Sequence, residues 1–284
     1  MDEYSTIAAL RARLAAERQA GKTIGLVPTM GFLHDGHLAL VDDMRAASDV
    51  VVMSIFVNPL QFGPNEDLSR YPRNIERDRG LAASRGVEIL FVPTVEEMYP
   101  AGAECRVVAG ATASRWEGAQ RPGHFDGVLT VVAKLFNIVQ PDVAGFGQKD
   151  IEQFTLIRKM VRDLDMPLAL RLLPTVREAD GLALSSRNVY LTPDARVQAL
   201  ALSRALREVA GQWEAGERDA DILRGVVAAA FAAADGVVPD YIAIADPDTL
   251  VPVTRAIPGT IVAVAARVGS TRLIDNVILT EECA

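Results

Sequence analysis

Apolar and polar positions along the first part of the chain predict strands that alternate with helices. Mostly apolar runs, typical of strands covered on both faces, lie at residues 23–28, 49–57, 87–92, 142–146 and 168–173. Helices are predicted in the intervening segments, at residues 5–20, 38–47, 74–85, 126–139 and 150–164. Apolar residues recur at helical spacing in the first and fourth of them, whereas the segment 74–85 is polar. This alternation predicts an α/β fold with a doubly wound, Rossmann-like parallel sheet.

The pattern changes near residue 190. Two Ala/Arg/Leu-rich helical stretches come first, at residues 193–210 and 219–234. Strand-like runs then follow one another directly, at residues 240–245, 261–268 and 272–279. Helices followed by consecutive strands are typical of an α+β domain. We therefore predict two domains, a larger one over residues 1–178 and a smaller α+β domain over residues 179–284.

Composition and charge exclude several classes of protein. Half of the 284 residues are hydrophobic, which is enough for a large core and excludes a disordered chain. The formal net charge of −8 argues against a basic nucleic-acid-binding face. We find no apolar run of the roughly 18 residues that a membrane helix needs, and no signal-peptide pattern. Cys105 and Cys283 form no disulfide framework or CxxC site. We expect a soluble, cytoplasmic protein without membrane or nucleic-acid partners.

The segment 28–37 joins the first buried strand to a helix. At that edge of a doubly wound sheet, a helix N-terminus favours phosphate, and Gly31 and Gly36 let a ligand approach the backbone. His34 and His37 add donors that could stabilise charge on a leaving phosphate. Two alternatives remain open: the histidines simply fill a loop, or they bind zinc with His124 as a third ligand.

Two further polar segments follow predicted strands. Asn58 and Gln61 offer amides that recognise a hydroxy acid or carboxylate without adding charge, although a polar turn would explain them equally well. Lys149 can pair with phosphate, and Gln153 lies one helical turn further on the same side. Asp150 is also a reasonable helix N-cap.

Three other places combine charge with turn residues. Ser185–Arg187 supplies two hydroxyls and a guanidinium that can hold phosphate oxygens, unless this is an ordinary surface loop. Arg121 and His124 stand on either side of a turn just before a strongly apolar helix. Glu76 and Asp78 lie in a predicted first helical turn, where they would complement the helix dipole or help to hold a hydrated Mg²⁺.

Taken in order, these segments resemble the pantoate–β-alanine ligase family of the nucleotidyltransferase superfamily. The motifs that carry the resemblance are Pro28–Gly31, His34–His37, Phe56–Phe62, Arg121–Phe125, Phe146–Asp150 and Leu184–Asn188. The resemblance implies that pantoate attacks ATP to give pantoyl adenylate and pyrophosphate, and that β-alanine then gives pantothenate and AMP. It also implies Mg²⁺ with the ATP, a homodimer, and a C-terminal domain that acts as a lid.

The resemblance further implies roles for individual residues. His37 would be the proton donor, with His34, Lys149 and Arg187 as the other catalytic cations. The ATP site would comprise Met30, Gly31, Phe32, Leu33, His34, Asp35, Gly36, His37, Gly147, Gln148, Lys149, Asp150, Val176, Leu184, Ser185, Ser186 and Arg187. Pantoate would bind Gln61 and Gln153, with β-alanine also near Gln61. Asn58, Arg121 and His124 are further candidates for substrate contact, and Asp78 for Mg²⁺.

Two departures from the family pattern matter. Glu152 stands where a glutamine is frequent, so the pantoate role rests on Gln153 and we expect Glu152 to point outward. Leu184 replaces a methionine, a swap that conserves volume. Two other functions stay open: a nucleotidyltransferase that releases its adenylylated product, and a nucleotide-binding module without catalysis. The ligase hypothesis expects the segments between residues 30 and 187 to converge on one cleft.

Overall fold

The computed structural model describes residues 1–64 and 66–281 and divides into two compact units. The first unit contains Met1–Gly147 and Leu156–Pro174. The second contains Gln148–Thr155 and the chain from Thr175 onward. A single boundary after residue 178 stays a prediction; the structure adds that residues 148–155 group with the second unit.

The first unit is built on a parallel sheet, which confirms the predicted fold class. Its strands lie in the order β1-β4-β3-β2-β5-β6, and their pairings are parallel. They comprise β1 (Asp2–Tyr4), β2 (Ile24–Thr29), β3 (Val50–Ile55), β4 (Ile89–Phe91), β5 (Val143–Gly147) and β6 (Ala169–Leu173). From β2 the chain adds β3 and β4 on one side of the sheet and then returns to add β5 and β6 on the other side of β2. Open parallel sheets bind ligands at the carboxyl ends of the strands beside such a switch point.

Helices connect these strands and cover the sheet. They are α1 (Ile7–Gln19), α2 (Asp35–Ala47), α3 (Ile75–Ser84), α4 (Val95–Met98), α5 (Trp116–Gln120), α6 (His124–Val139) and α7 (Ile151–Asp163). Buried Val41 and Met44 of α2 pack in one core with Val51 and Met53 of β3. The first residues of α7, to Thr155, group with the second unit.

The second unit is the predicted smaller α+β domain. Its elements are α8 (Pro193–Glu214), α9 (Ala220–Ala232), β7 (Val237–Ala245), β8 (Ile261–Val268) and β9 (Thr271–Ile278). The strands form an antiparallel sheet in the order β7-β8-β9. The two helices pack on it through a core that includes Leu202, Leu223, Val227 and Val264.

Several local features differ from the sequence prediction. Strand β1 was not predicted, because its residues are largely exposed and lack an apolar pattern. Helix α2 begins at Asp35 rather than residue 38. Cys105 is exposed, and Cys283 lies outside the described residues. Within residues 1–64 and 66–281, no helix combines the length and apolar character needed to cross a membrane.

Candidate active site

The loop after β2 has an unusual backbone at the carboxyl edge of the sheet. Gly31 and Phe32 both have left-handed conformations, with φ of +81° and +50°. A Cβ atom on Gly31 would lie 2.9 Å from Ile55 Cγ2 and 3.0 Å from Asp78 Oδ2. Glycine is therefore required here by both conformation and space. The loop brings the predicted ATP residues close to the end of β3.

Asp78, from the first turn of α3, anchors this loop. Its Oδ2 accepts the N–H of Phe32 at 2.7 Å, and its Oδ1 accepts the N–H of Leu33 at 2.8 Å. The neighbouring Arg77 donates to the carbonyl of Leu33 at 2.8 Å. Asp78 is only 1% exposed, so its charge is neutralised by these donors rather than by water. The structure thus gives Asp78 a loop-positioning task that occupies both of its carboxylate oxygens.

His34 and His37 stand at the N-terminus of α2, as the sequence predicts. His34 is the N-cap residue, and its N–H donates to His37 Nδ1 at 3.3 Å. The two imidazole rings lie with their centroids 4.0 Å apart. Because Nδ1 of His37 accepts a hydrogen bond, a neutral His37 carries its proton on Nε2. The pair therefore offers a ring N–H donor beside a helix N-terminus, where anions bind favourably.

Asn58 caps a short 3₁₀ turn, Pro59–Gln61, beyond the end of β3, and Gln61 is the last residue of that turn. Asn58 Oδ1 accepts the N–H of Leu60 at 3.2 Å and the hydroxyl of Tyr99 at 2.8 Å. Its Nδ2 donates to Gln61 Oε1 and to the carbonyl of Gly127, both at 3.1 Å. The amides predicted for acid recognition are thus linked to each other.

Gln61 also joins this turn to the segment after β2. Its Nε2 lies 3.0 Å from Met30 Sδ. Met30 belongs to the predicted ATP-binding segment, whereas Gln61 was predicted to bind pantoate. Within the first unit, the structure therefore places a candidate for acid binding against a candidate for nucleotide binding.

Arg121 and His124, predicted to contact substrate, both contact the main chain of Gln61, and their substrate contacts stay a prediction. His124 Nδ1 lies 2.8 Å and Arg121 Nη2 3.2 Å from the Gln61 carbonyl oxygen. Arg121 also donates to both carboxylate oxygens of Glu66, at 2.7 and 2.5 Å. Burial is the largest single influence on the pKa of Glu66 and would raise it, but the hydrogen bond and charge of Arg121, with smaller contributions from His124 and Gly63, together lower that pKa. These contacts fix the C-terminal end of the turn at Gln61.

The same contacts define the state of His124. A carbonyl oxygen only accepts, so Nδ1 must carry the proton that bonds to Gln61. Arg121 Nη1 only donates, so Nε2, 3.0 Å away, must be unprotonated. Burial, aided by the charge of Arg121, lowers the pKa of His124 to about 4. His124 is therefore neutral at pH 7, with a defined tautomer.

The second unit carries the phosphate-binding candidates that follow β5. Gln148–Asp150 form a 3₁₀ turn, and Asn276 of β9 holds it. Asn276 Nδ2 donates to the carbonyls of Gln148 and Lys149 at 2.8 and 3.0 Å, and its Oδ1 accepts from Gln148 Nε2 at 3.2 Å. Asn276 is 2% exposed. The backbone that carries Lys149 is thus fixed by the C-terminal sheet.

The remaining nucleotide candidates lie on one tight loop of the second unit. Leu184 donates its N–H to the carbonyl of Val176 at 3.0 Å, which brings together two residues far apart in the motif pattern. Ser185 caps the following 3₁₀ turn by accepting the N–H of Arg187 at 3.3 Å. Strand β9 packs against this turn as well as against the turn at residues 148–150.

One expectation for α7 is wrong. Glu152 was expected to point outward, but it is buried, at 3% exposure, whereas Gln153 is partly exposed. Ile151 and Phe154 on either side are also buried, so the start of the helix is enclosed over much of its circumference. The prediction placed Gln153 at the site and therefore assumed that Glu152, its neighbour, faces water. That assumption holds only for a helix with one buried face.

Several residues of this region were missed by sequence reasoning, notably Tyr99, Glu66 and Asn276. Each acts through a contact with a predicted residue, and no motif or spacing marks it. Among the described residues, no group of three or more His, Cys, Asp or Glu side chains is arranged to hold a metal ion. A zinc site formed by His34, His37 and His124 therefore has no support from the geometry.

Comparison with known proteins extends the resemblance over the whole chain. A family model described as pantoate-beta-alanine ligase matches residues 2–278. The pantothenate synthetase of Moorella thermoacetica is 56% identical over 98% of this chain and 99% of its own length. That of Agrobacterium fabrum is 52% identical over 98% of this chain and 95% of its own length.

Solved structures agree in fold as well as sequence. The pantothenate synthetase of Thermus thermophilus is 50% identical, with a TM-score of 0.93 over 99% of this chain and 100% of that one. The Francisella tularensis pantoate-beta-alanine ligase, complexed with beta-gamma ATP and β-alanine, is 33% identical. Its TM-score is 0.79 over 98% of this chain and 97% of that one. The chain belongs to the pantoate–β-alanine ligase family, and it is a ligase.

Proposed function

We propose that this protein condenses pantoate with β-alanine at the expense of ATP, through a pantoyl adenylate, and releases AMP and pyrophosphate. Two neighbouring features carry the proposal. One is the histidine pair at the N-terminus of α2, and the other is the contact between Gln61, at the end of the turn Pro59–Gln61, and Met30. The Francisella tularensis relative, complexed with beta-gamma ATP and β-alanine, supports ATP and β-alanine as two of these substrates.

The first step activates the acid. A carboxylate is a poor acyl donor, because its oxygen is too basic to leave. One carboxylate oxygen of pantoate attacks the α-phosphorus of ATP, and the bond between that phosphorus and the bridging oxygen of pyrophosphate breaks. The acyl group then carries a phosphate leaving group.

The second step forms the amide. The amine nitrogen of β-alanine attacks the acyl carbon of the adenylate and gives up a proton. The carbon–oxygen bond to the phosphate breaks, and AMP leaves with the oxygen that came from the pantoate carboxylate. One pantothenate, one AMP and one pyrophosphate are the products of each cycle.

Cations have to bring these anions together, since a carboxylate and a triphosphate repel each other. We assign this task to His34, His37, Lys149 and Arg187, helped by the helix N-terminus at α2. The Nε2–H of His37 is suited to hydrogen bonding with a phosphate oxygen as charge moves onto pyrophosphate. Gln61 and Gln153 are assigned to pantoate, with Asn58 acting through Gln61.

Mg²⁺ would enter with ATP, held mainly by phosphate oxygens and water. Asp78 does not fit a direct ligand, because both of its oxygens already accept backbone N–H bonds and the side chain is buried. We therefore assign no residue to the ion. The homodimer implied by the family resemblance and the cytoplasmic location expected from the sequence also stay predictions.

An isotope experiment tests the whole reaction. Purified protein receives ATP, Mg²⁺, β-alanine and pantoate labelled with ¹⁸O in both carboxylate oxygens. We expect equal amounts of AMP, pyrophosphate and pantothenate, with one ¹⁸O in AMP and one in pantothenate. Formation of ADP, or unlabelled AMP, would contradict the proposal.

Omitting β-alanine separates the alternatives. The ligase should then form pantoyl adenylate only to about the amount of enzyme, whereas a nucleotidyltransferase would release it in many turnovers. A binding module would bind ATP without any turnover. Lys149→Met should slow adenylate formation at least about tenfold through lost phosphate stabilisation. Lys22→Met, which removes a surface ion pair with Glu17, is the matched control.

A further inference from the structure

We propose that Tyr99 and Asn58 fix the polarity of the Gln61 side chain, so that Gln61 presents its NH₂ group, and not its oxygen, to the carboxylate of the bound acid. This inference rests on the proposed function and deepens it, because it names the donor that selects a carboxylate. Asn58 and Tyr99 are positioning residues here, since they act through Gln61.

The orientation of the Asn58 amide is dictated by its surroundings. One end of the amide faces the backbone N–H of Leu60, which can only donate. The other end faces the carbonyl of Gly127, which can only accept. The oxygen must therefore lie toward Leu60 and the nitrogen toward Gly127. A flipped amide would face a donor with a donor and an acceptor with an acceptor.

The orientation of Gln61 follows from that of Asn58. The Asn58 nitrogen has two hydrogens, of which one bonds to Gly127 and the other to the Gln61 amide at 3.1 Å. The Gln61 atom that faces Asn58 must therefore be its oxygen. Its NH₂ group is left on the side of Met30, whose thioether sulfur is a weak acceptor. A carboxylate oxygen is a much stronger acceptor and would replace the sulfur as partner.

Tyr99 is the first member of this hydrogen-bond relay, which runs from Tyr99 through Asn58 to Gln61. Its hydroxyl donates to Asn58 Oδ1 at 2.8 Å, so the oxygen of Asn58 receives two donors. Burial raises the pKa of Tyr99, which keeps the hydroxyl protonated and able to donate. The ring also lies near Phe56, with centroids 6.0 Å apart, and near the ammonium of Lys134, which is 5.8 Å from its centroid. Asn58 is 1% exposed, so water does not compete for these bonds.

The polarity has a consequence for selectivity. A carboxylate carries acceptors only, and it matches an NH₂ donor. The primary amide of the same acid has one acceptor oxygen, so it matches the NH₂ group in one orientation and meets it with a donor in the other. The wild-type protein should accordingly bind pantoate more tightly than pantoic acid amide, and part of that ratio should come from the relay.

Two substitutions test the relay. Tyr99→Phe removes one hydroxyl and keeps the ring; the loss of one neutral hydrogen bond should weaken pantoate binding about fivefold. Asn58→Asp replaces the Nδ2 donor by an oxygen, so the Gln61 amide should turn over and present its oxygen to the acid. That change should weaken pantoate at least about tenfold and reduce the ratio of amide to acid dissociation constants. Tyr4→Phe, in β1, is the matched control.

The measurements are the dissociation constants of pantoate and of its amide, the KM for ATP, and the melting temperature. We expect the KM for ATP to stay within about twofold while the acid-to-amide preference falls. An unchanged preference in the folded Tyr99→Phe protein would overturn the inference, whether or not Asn58→Asp folds. If the wild-type protein neither binds pantoate nor forms AMP from it, the proposed function fails as well. If the wild-type enzyme is active and the variants keep its acid-to-amide preference, only this inference fails and the proposed function stands.

Discussion

Among individual side chains, Asp78 shows how one carboxylate can hold a predicted nucleotide loop in a conformation it would otherwise avoid. The loop places Gly31 and Phe32 in the left-handed region, and a non-glycine residue there carries a conformational cost. The N–H groups of Phe32 and Leu33 each donate to one of the two carboxylate oxygens of Asp78. The charge of Asp78 and the shape of the loop are therefore coupled.

Asp78→Asn should disturb this loop without a change in side-chain size. The asparagine has one acceptor oxygen, so its NH₂ group must face the N–H of either Phe32 or Leu33. Leaving that buried donor unsatisfied should lower the free energy of unfolding by about 1–3 kcal/mol and raise the KM for ATP. Urea unfolding and steady-state kinetics measure both effects. Glu76→Gln, in the same helical turn but exposed, should change neither; equal effects of the two substitutions would contradict the prediction.

His124 should make stability depend on pH. Its pKa is about 4 in the folded chain against an ordinary value of 6.5, so the folded state stays neutral where the unfolded state binds a proton. Stability from this residue is complete above pH 6.5 and is lost as the pH falls toward 4, by roughly 3 kcal/mol in total.

His124→Asn is the variant that tests this dependence. The asparagine amide can keep a donor near the Gln61 carbonyl but does not titrate. Urea unfolding at pH 7 and pH 4.5 should show a smaller loss of stability in the variant than in the wild-type protein. If both lose the same amount between these two pH values, His124 does not contribute as we expect.

Sequence reasoning found the residues that carry their own chemical signal and missed those that act through others. His34, His37 and Gln61 stood out because imidazole or amide groups follow a buried strand. Tyr99 had no such signal, and Asp78 was singled out only as a dipole complement or Mg²⁺ candidate, since their contacts join distant segments of the chain. Arg121 and His124 were found as a motif, but their contacts with the Gln61 carbonyl could not be read from their spacing.

Helices and strands were predictable from the sequence where burial required a recognisable pattern of apolar residues. Strand β3 is buried along its length, and the apolar face of α6 ends at Val139, so both stand out in the apolar pattern. Strand β1 is held by backbone pairing to β4 with exposed side chains, and it leaves no such pattern. The start of α2 was misplaced for a related reason, because its first turn faces the loop after β2 and carries polar residues.

Gly127 shows that the approach of α6 to the turn at Pro59–Gln61 depends on a missing side chain. A Cβ atom there would lie 2.2 Å from the carbonyl oxygen of Leu60. This oxygen belongs to the backbone, so it cannot move away by a side-chain rotation. Gly127→Ala should therefore push the helix from the turn, destabilise the protein by about 1–3 kcal/mol and weaken pantoate binding.

Gly225→Ala in α9 is the matched control. A Cβ atom there meets nothing within 4 Å, so this alanine should stabilise its helix by about 0.5–1 kcal/mol. Thermal unfolding and pantoate titration of both variants measure the contrast. A stabilising Gly127→Ala would show that the helix can move at no cost and would refute the steric account.

Along the chain as a whole, the sequence predicts two domains but not that residues 148–155 group with the second unit. Asn276 contributes to that grouping, because it lies 128 positions away from Gln148 and donates to its carbonyl. Local periodicity carries no record of such a contact. The C-terminal sheet therefore has a task besides the lid role implied by the family resemblance: it fixes the backbone beneath Lys149.

Asn276→Asp should break this support in the intact protein. The aspartate would turn an acceptor toward the carbonyls of Gln148 and Lys149, in a place that is 2% exposed, so repulsion should displace the turn. We expect adenylate formation to slow at least about tenfold, with a loss of about 1–3 kcal/mol in stability. Single-turnover kinetics with pantoate and ATP, alongside urea unfolding, measure the two effects. Arg267→Gln, at an exposed position of β8, should leave the rate unchanged. A folded Asn276→Asp protein that forms adenylate at the wild-type rate would mean that the turn holds Lys149 in place without help from β9.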